Sequence, residues 1–430
     1  MASAAQAENT SRSVRATLWI LLIVYIFNFI DRQIVNILAE PIAIDLGLSD
    51  TQIGLMTGLA FALFYTALGL PIARYADRPT TNRPRLIAIA LAIWSAMTAL
   101  CGLANNFVQL LLARIGVGVG EAGCTPPAHS LISDIVPPER RSSALAFYAL
   151  GIPIGTLLGM MIGGFLADWV GWRMAFLIVG LPGVALAFVV HFALREPRQQ
   201  MAAAAKAQTQ EEAGMSTWAA VRLVMRSKAF VLLLAAGSTA AFLAYGKVTW
   251  TTIFFQRTHE LSPGEVGFWF GVVNGAAGIF GTWFGGYLAD RFGSKNRRHV
   301  LSAPAIGMAI AVPFAFLAYQ SSNWFVALLL LIIPTICNSL YYGPTYSAAQ
   351  GLVPLRTRAI AAAMVLFFQN LIGLGLGPLF FGMLSDLLQP AYGEESVRYV
   401  LYGAAFLGLV PAFFFWRCSL RLDTELDRQG

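Results

Sequence analysis

Charged residues are scarce in this 430-residue sequence: Asp, Glu, Lys and Arg together make up 12% of the chain, about half the share usual in soluble domains. Hydrophobic residues make up 57%. This balance excludes a disordered chain, which needs abundant charge and few apolar residues, and it indicates a membrane protein. Because a membrane-spanning helix takes about 20 apolar residues, twelve of them would leave no room for a large domain outside the membrane.

Residues that support catalysis or metal binding are scarce as well. The 4 cysteines show no CxxC spacing, so neither a disulfide framework nor a zinc site is predicted. The 4 histidines form no HxxxH or HExxH pair, and the GxxxxGKS or GxxxxGKT loop of nucleotide-driven proteins is absent. The sequence therefore predicts that the protein is not an enzyme and holds no metal or other cofactor.

Apolar runs between charged or Pro/Gly-rich breaks predict an all-α membrane protein with twelve membrane-spanning helices. The predicted spans cover residues 16–41, 51–76, 85–104, 107–135, 142–167, 172–194, 230–256, 264–289, 299–319, 323–352, 358–388 and 396–417. The longest break predicts a cytoplasmic linker at residues 196–229. It separates an N-terminal six-helix bundle, residues 1–195, from a C-terminal bundle with a cytoplasmic tail, residues 230–430.

The positive charges are distributed unevenly along these segments. With the N-terminus placed inside, 23 of the 29 Lys and Arg residues fall in cytoplasmic segments and 3 in outer loops, which predicts that both termini are cytoplasmic. The same rule explains the net charge of +7, and no nucleic-acid partner is expected. Short loops and compact tails favour the inner (cytoplasmic) membrane of a bacterium over an organelle.

The two predicted bundles repeat each other at matched positions. Ala76-Asp77-Arg78 recurs as Ala289-Asp290-Arg291, and the segment from Gly164 recurs loosely from Gly382. Five more residues recur at one constant spacing of 217: Pro127, Ser130, Val136, Pro137 and Arg141 match Pro344, Ser347, Val353, Pro354 and Arg358. Two parallel six-helix repeats with a binding site between them are typical of transporters that rock between two states.

The loop after the eighth predicted span reads GGYLADRFGSKNRR, from Gly285 to Arg298. It resembles the loop signature of the major facilitator superfamily. The first-half copy, YADRPTTNRPR, keeps the Asp-Arg pair but carries Pro79 in place of the glycine. Two glycine-rich stretches, RIGVGVGEAGCTPPAHS and ALGIPIGTLLGMMIGG, resemble the fourth- and fifth-span motifs of the same superfamily. The resemblance implies gating loops at Asp77, Arg78, Asp290 and Arg291.

Shorter patterns narrow the resemblance. FNFIDRQ in the first span, GVGEA in the fourth and IPIGTLLG in the fifth are similar to the Spinster family of lysolipid and sphingolipid transporters. This implies a monomeric, proton-coupled transporter with alternating access that moves a lysophospholipid or a sphingoid lipid. The organic anion:cation symporters carry a similar DR and EAG, so a sugar acid or an aromatic acid is the alternative substrate. A channel or a non-transporting membrane receptor is a more distant alternative.

Four charged residues fall well inside apolar spans: Asp31, Arg32, Arg114 and Glu121. An uncompensated charge there costs at least ~2.5–3.5 kcal/mol, so these residues are expected to pair or to face a wet cavity. Asn28 lies one turn before Arg32 on the same face of its helix and is a candidate cavity contact. We predict that Asp31 and Glu121 carry the coupling proton and that the two arginines bind the substrate or serve as counter-ions. The alternative is a static ion-pair network.

The same cluster suggests how coupling would work. Burial disfavours an ionised carboxylate, whereas a neighbouring arginine favours it. An anionic headgroup that binds an arginine would compete with the carboxylate, and the released carboxylate would take up a proton. Candidate cavity contacts from the second half are polar side chains within predicted spans: Lys247, Asn338, Tyr342 and Gln369.

Overall fold

The computed structural model describes residues 2–198, 217–354 and 357–426, and every regular element in these ranges is a helix. Within them, nine stretches are long and apolar enough to cross a membrane. Two of these, Ser143–Ala193 and Ile360–Leu422, are 51 and 63 residues long, enough for two crossings each. The helix Pro263–Gly293 adds 31 residues. The predicted all-α membrane fold is confirmed.

The chain divides into two compact units. The first unit comprises Met1–Leu46 and Ala60–Glu212, and the second comprises Gly47–Leu59 and Ala213–Gly430. Most of the predicted linker, residues 199–216, lies outside the described residues, as do the last four residues of the predicted tail.

The first unit consists of long helices with short connections. Its described helices are α1 Ala2–Leu46, α2 Ala60–Ala76, α3 Arg83–Cys101, α4 Phe107–Glu121, α5 Thr125–Ile135, α6 Pro138–Ala149 and α7 Gly151–Ala193. In α7 the backbone turns at Gly171, whose φ of 79° is a conformation that glycine adopts readily. This turn coincides with the predicted break between the fifth and sixth spans.

Glycines set the close packing of α1 against α7. A Cβ at Gly155 would lie 2.5 Å from the carbonyl oxygen of Ile26, and a Cβ at Gly159 would lie 2.9 Å from the Cα of Ile30. Any side chain at these positions would force the backbones apart. Small residues allow such close approach between membrane helices, and here they fix the position of the helix that carries Asp31.

The second unit begins with a segment that precedes α2 in the chain, α8 Asp50–Gly54 followed by the π-helix Leu55–Leu59. The helices after the linker are α9 Thr217–Val224, α10 Lys228–Thr258, α11 Pro263–Gly293, α12 His299–Gln320, α13 Trp324–Ser339, α14 Tyr342–Gly351, α15 Arg358–Phe368, the π-helix Gln369–Leu376, α16 Gly377–Tyr392, a 3-10 turn Gly393–Glu395, α17 Ser396–Phe406 and α18 Leu409–Leu426.

Residues 47–59 belong to the second unit, although the predicted boundary at residue 195 assigns them to the N-terminal bundle. Polar contacts explain the difference. Arg257 donates two hydrogen bonds to the Asp50 carboxylate, at 3.0 and 2.8 Å. The Asp386 carboxylate accepts hydrogen bonds from the backbone N–H groups of Asp50 and Thr51, at 2.9 and 2.8 Å. No local sequence pattern predicts contacts between such distant residues.

Candidate functional site

The four predicted charged residues lie inside the first unit. Asp31 and Glu121 are completely buried, and Arg114 is 1% exposed. α1 carries Asp31 and Arg32, and α4 carries Arg114 and, as its last residue, Glu121. The structure therefore places these charges in the interior of the unit and away from its outer surface.

Arg32 and Glu121 form a buried ion pair. The Arg32 Nε donates a hydrogen bond to Glu121 Oε2 at 2.5 Å, and the Arg32 side chain is 14% exposed. Three aromatic rings surround the guanidinium, with their centroids 4.5 Å (Tyr65), 5.0 Å (Phe61) and 5.1 Å (Phe29) from its Cζ. Cation–π contacts at such distances stabilise a charge that has lost water. Arg32 is thus held by one carboxylate and an aromatic cage.

Asp31 and Arg114 are less completely paired. Trp94 lies close enough to interact with the Asp31 carboxylate, but within the described residues neither carboxylate oxygen has a partner in hydrogen-bonding geometry, and neither do Nε and Nη1 of Arg114. The Arg114 guanidinium interacts electrostatically with both Asp31 and Glu121, and its Cζ lies 5.5 Å from the Phe61 ring centroid. The cluster therefore combines two positive and two negative charges with unused hydrogen-bonding capacity, which can receive a proton or a ligand.

The backbone next to Glu121 is interrupted. α4 ends at Glu121, and α5 begins at Thr125 and continues through Pro126 and Pro127. Proline lacks the N–H that a continuous helix would use, so the span restarts four residues beyond the carboxylate. Discontinuous membrane helices of this kind are typical of transporter binding sites. Asn28 is completely buried, and its amide lies close enough to Glu121 to interact with it.

The predicted contacts of the second unit separate into two groups. Gln369 and Tyr342 both interact with Tyr346: its hydroxyl donates a hydrogen bond of 3.0 Å to Gln369 Oε1, and its side chain interacts electrostatically with Tyr342. Asn338 is half-buried near the end of α13, and Lys247 is half-buried on α10. The described contacts join neither Lys247 nor Asn338 to this pair.

The predicted gating residues are exposed at helix ends. Asp77 Oδ1 accepts a hydrogen bond from Ser130 Oγ at 3.4 Å, and Arg78 lies over the Tyr75 ring. In the second unit, Arg291 donates a hydrogen bond of 2.9 Å to the hydroxyl of Tyr287, and its neighbour Asp290 is exposed.

Sequence reasoning missed a buried ion-pair network at one end of the first unit. Arg83 is completely buried and pairs with Glu196 and with Asp134, the latter at 2.6 Å. Arg198 donates to Asp134 at 2.9 Å. Burial alone would raise the pKa of Glu196, but hydrogen bonds from the Arg83 side chain and backbone hold that pKa below its ordinary value. In the sequence, Arg83 is one of several loop cations, and only the fold separates it from them.

No group of three or more His, Cys, Asp or Glu side chains that could hold a metal ion occurs within the described parts of the chain.

Comparison with known proteins identifies the family. The model of the Major Facilitator Superfamily matches residues 21–378. The chain belongs to this superfamily. An MFS-type efflux pump from Mycolicibacterium smegmatis is 35% identical over 420 residues, which are 97% of this chain and 96% of that protein. Protein spinster homolog 1 from Xenopus laevis is 25% identical over 446 residues, 97% of this chain and 84% of that protein.

One solved structure and a further relative complete the comparison. A bacterial homologue of the human lysosomal transporter Spinster, solved in an inward-facing and unoccupied conformation, superposes with a TM-score of 0.86 at 30% identity over 96% of this chain and 98% of that one. A probable L-galactonate transporter from Escherichia coli is 26% identical over 77% of this chain and 75% of that protein. The protein is thus a multi-pass membrane transporter that resembles Spinster, and its family comprises transporters, not enzymes.

Proposed function

We propose that the protein is a proton-coupled transporter that moves a lipid-like amphiphile, a lysophospholipid or a sphingoid lipid, by alternating access. The observation that carries this proposal is the charge-balanced cluster inside the first unit. Two carboxylates and two guanidinium groups lie together; one ion pair forms within the cluster, while atoms of Asp31 and Arg114 and the Oε1 atom of Glu121 remain unsatisfied. A static network would be expected to satisfy all its buried polar atoms.

Charge balance supplies the coupling. With both carboxylates ionised, the cluster has no net formal charge; when one of them takes up a proton, the cluster carries +1. A net charge in a buried membrane site is costly, and an anionic headgroup at Arg114 would cancel it. Proton and anion therefore favour each other's binding, which is the requirement for moving both in the same direction.

Lipid-like substrates are favoured by the surroundings of the charges and by the relatives. Phe29, Phe61 and Tyr65 place apolar ring surface directly beside the Arg32 guanidinium, so one region offers both a cation and a place for hydrocarbon. The Spinster proteins that this chain resembles include homologues of a lysosomal transporter. An amphiphile with an acidic head fits this combination.

A small organic anion is the second candidate. The similarity to a probable L-galactonate transporter favours it, since a sugar acid carries the same negative charge as a lipid headgroup and would engage the same arginines. It lacks the hydrocarbon that would use the neighbouring rings. Competition between lysophospholipids and hexuronates for transport separates these two substrates.

Transport into proteoliposomes under an imposed pH gradient tests the function. We expect uptake of labelled lysophospholipid to follow the proton, and Asp31→Asn and Glu121→Gln to abolish the dependence on the gradient. Asp45→Asn is the matched control, because Asp45 is an acid of the same unit whose side chain is 43% exposed. Substrate movement opposite to the proton, as an efflux pump working by exchange would show, would contradict the co-transport scheme.

The remaining properties follow from this function. We propose that the protein works as a monomer in the inner membrane, with both termini in the cytoplasm and with protons as coupling ions in place of any cofactor. Its partners are its substrate and membrane lipids, without nucleic acid. Labelling of single cysteines introduced near each terminus, with a reagent that cannot cross the membrane, measures the orientation: labelling from outside would contradict it.

A further inference from the structure

The second unit contains a group of neutral polar side chains where α13 gives way to α14. Tyr341 is 1% exposed and stacks on Tyr342 with ring centroids 4.5 Å apart. Its side chain also interacts with Tyr245 and Tyr346, and Tyr346 donates to Gln369. We call these five residues the tyrosine cluster. Tyr342 is 38% exposed, so the cluster is open on one side.

Hydrogen-bonding capacity is unused next to this cluster. Gln369 is 6% exposed, and its Nε2 has no hydrogen-bond partner within the described residues. Thr345 is completely buried, and its hydroxyl likewise has no hydrogen-bond partner among these residues. Gly237 shows that the two side chains meet: a Cβ built there would lie 3.0 Å from Gln369 Nε2 and 3.6 Å from Thr345 Cγ2. Unpartnered buried groups are unfavourable, so two of them at one place indicate a ligand.

The backbone is unusual at the same place. Gln369 is the first residue of the π-helix Gln369–Leu376, and π-helical turns occur frequently at functional sites. Gly373, within this segment, packs so tightly on α10 that an added Cβ would lie 2.6 Å from the Cβ of Ala241. This packing holds the Gln369 amide against the helix that contains Gly237.

The internal repeat relates the tyrosine cluster to the charged cluster of the first unit. At the spacing of 217 that matches Pro127 to Pro344, Glu121 corresponds to Asn338. Both repeats end their helix at or next to this position: α4 ends at Glu121, and α13 ends at Ser339, one residue after Asn338. The second repeat thus builds its site from uncharged side chains where the first uses ionised ones. Lys247 lies two residues beyond Tyr245, about 200° around α10, so the two residues lie on opposite sides of that helix.

We propose that the tyrosine cluster binds an uncharged, hydrogen-bonding group of a ligand, such as hydroxyls or an ester carbonyl. The Gln369 amide donates to an oxygen, the Thr345 hydroxyl donates or accepts, and the tyrosine rings cover carbon–hydrogen surface. A charged group would find no counter-ion in this cluster. The inference goes beyond the proposed function, because it concerns a group of side chains of the second unit by itself. Its ligand chemistry is an uncharged oxygen, as in an ester-linked glycerol or in the hydroxyls of a sugar.

Equilibrium binding of uncharged probes tests the proposal. Monooleoylglycerol and glucose represent the two sources of neutral oxygens, and oleate is an acidic probe without them. Binding is measured on the full-length protein in lipid nanodiscs, without a pH gradient. We expect one neutral probe to bind, and Gln369→Leu to weaken its binding about tenfold, the effect of losing one buried hydrogen bond. Oleate binding should not change.

Two further variants make the result specific. Gly237→Ala adds a Cβ against the Gln369 amide and should also weaken binding of the neutral probe. Thr251→Val is the control, because it removes a buried hydrogen bond of 3.0 Å to Tyr319 elsewhere in the second unit. It should leave the affinity for every probe unchanged. If Gln369→Leu fails to fold, Gly237→Ala still tests the site with the native glutamine in place.

The outcomes separate this inference from the proposed function. Failure of both neutral probes to bind the unmodified protein would overturn the inference, as would equal affinity in the unmodified protein and both variants. A lower unfolding temperature of Gln369→Leu with unchanged affinities would assign Gln369 a structural role only and would also overturn it. None of these measurements uses a proton gradient, so loss of coupled transport would be seen independently.

Discussion

The ion pair between Arg32 and Glu121 should show strong thermodynamic coupling, because the cluster around it is balanced in charge. Glu121→Gln leaves Asp31 to offset two arginines, so the buried cluster gains a net charge of +1. Arg32→Gln leaves a net charge of −1. The double variant restores neutrality. The losses of stability in the two single variants should therefore add up to more than the loss in the double variant.

The size of the effect follows from the burial. Breaking a buried pair by removing one partner costs about 3–5 kcal/mol, and an uncompensated charge in a membrane span costs at least ~2.5–3.5 kcal/mol. In Glu121→Gln, the three rings within 5.1 Å of the Arg32 Cζ still stabilise the guanidinium and offset about 1–2 kcal/mol of this cost. We expect each single variant to lose about 3 kcal/mol, with a coupling energy of about 2–3 kcal/mol between the two positions.

Reversible unfolding in mixed micelles with increasing SDS measures these free energies. The exposed pair of Asp45 and Arg173, whose side chains are 43% and 38% exposed, is the matched control and should show a coupling of about 0–1 kcal/mol. Additive losses from Arg32→Gln and Glu121→Gln would refute the reasoning, because they would mean that the two charges do not depend on each other in the folded protein.

Two further predictions concern packing and pH. Gly118→Ala should destabilise the first unit by about 1–3 kcal/mol, because the added Cβ would lie 2.6 Å from the carbonyl oxygen of Phe61, whereas Gly286→Ala meets nothing within 4 Å and should be neutral in thermal unfolding. Because the pKa of Glu196 is depressed in the folded protein, its ionised side chain stabilises the folded state at pH values above the ordinary pKa of 4.5. This contribution is lost as the pH falls through the folded-state pKa. The advantage of the unmodified protein over Glu196→Gln should therefore shrink below about pH 4.5, and a difference independent of pH would contradict the pairing with Arg83.

The charged cluster could be predicted from the sequence because charged residues are rare within apolar membrane-spanning segments. Charges within apolar spans are costly, so Asp31, Arg32, Arg114 and Glu121 stand out without any knowledge of their neighbours. Which carboxylate pairs with which guanidinium could not be predicted. The Arg32–Glu121 bond joins residues 89 positions apart, and helix rotation decides that pairing.

Other contacts could not be predicted from the sequence, because their charged residues lie in polar loops, where charged side chains are usually solvated. Arg83 follows a polar loop and looks like a solvated cation, yet it is completely buried against Glu196, 113 positions away. Asp50 likewise looks like a solvated loop residue, but Arg257 and the Asp386 carboxylate bind its segment. The break after Ser339 was accessible in principle, because Pro344 repeats Pro127 at the constant spacing.

Proton-driven uptake by Asp31→Asn and Glu121→Gln, reconstituted in vesicles with a defined pH gradient, tests the coupling most directly. We predict that the pH gradient loses its effect in both variants, whereas Asp45→Asn stays coupled like the unmodified protein. Full gradient-driven accumulation in both variants would contradict the assignment of the buried carboxylates as proton carriers.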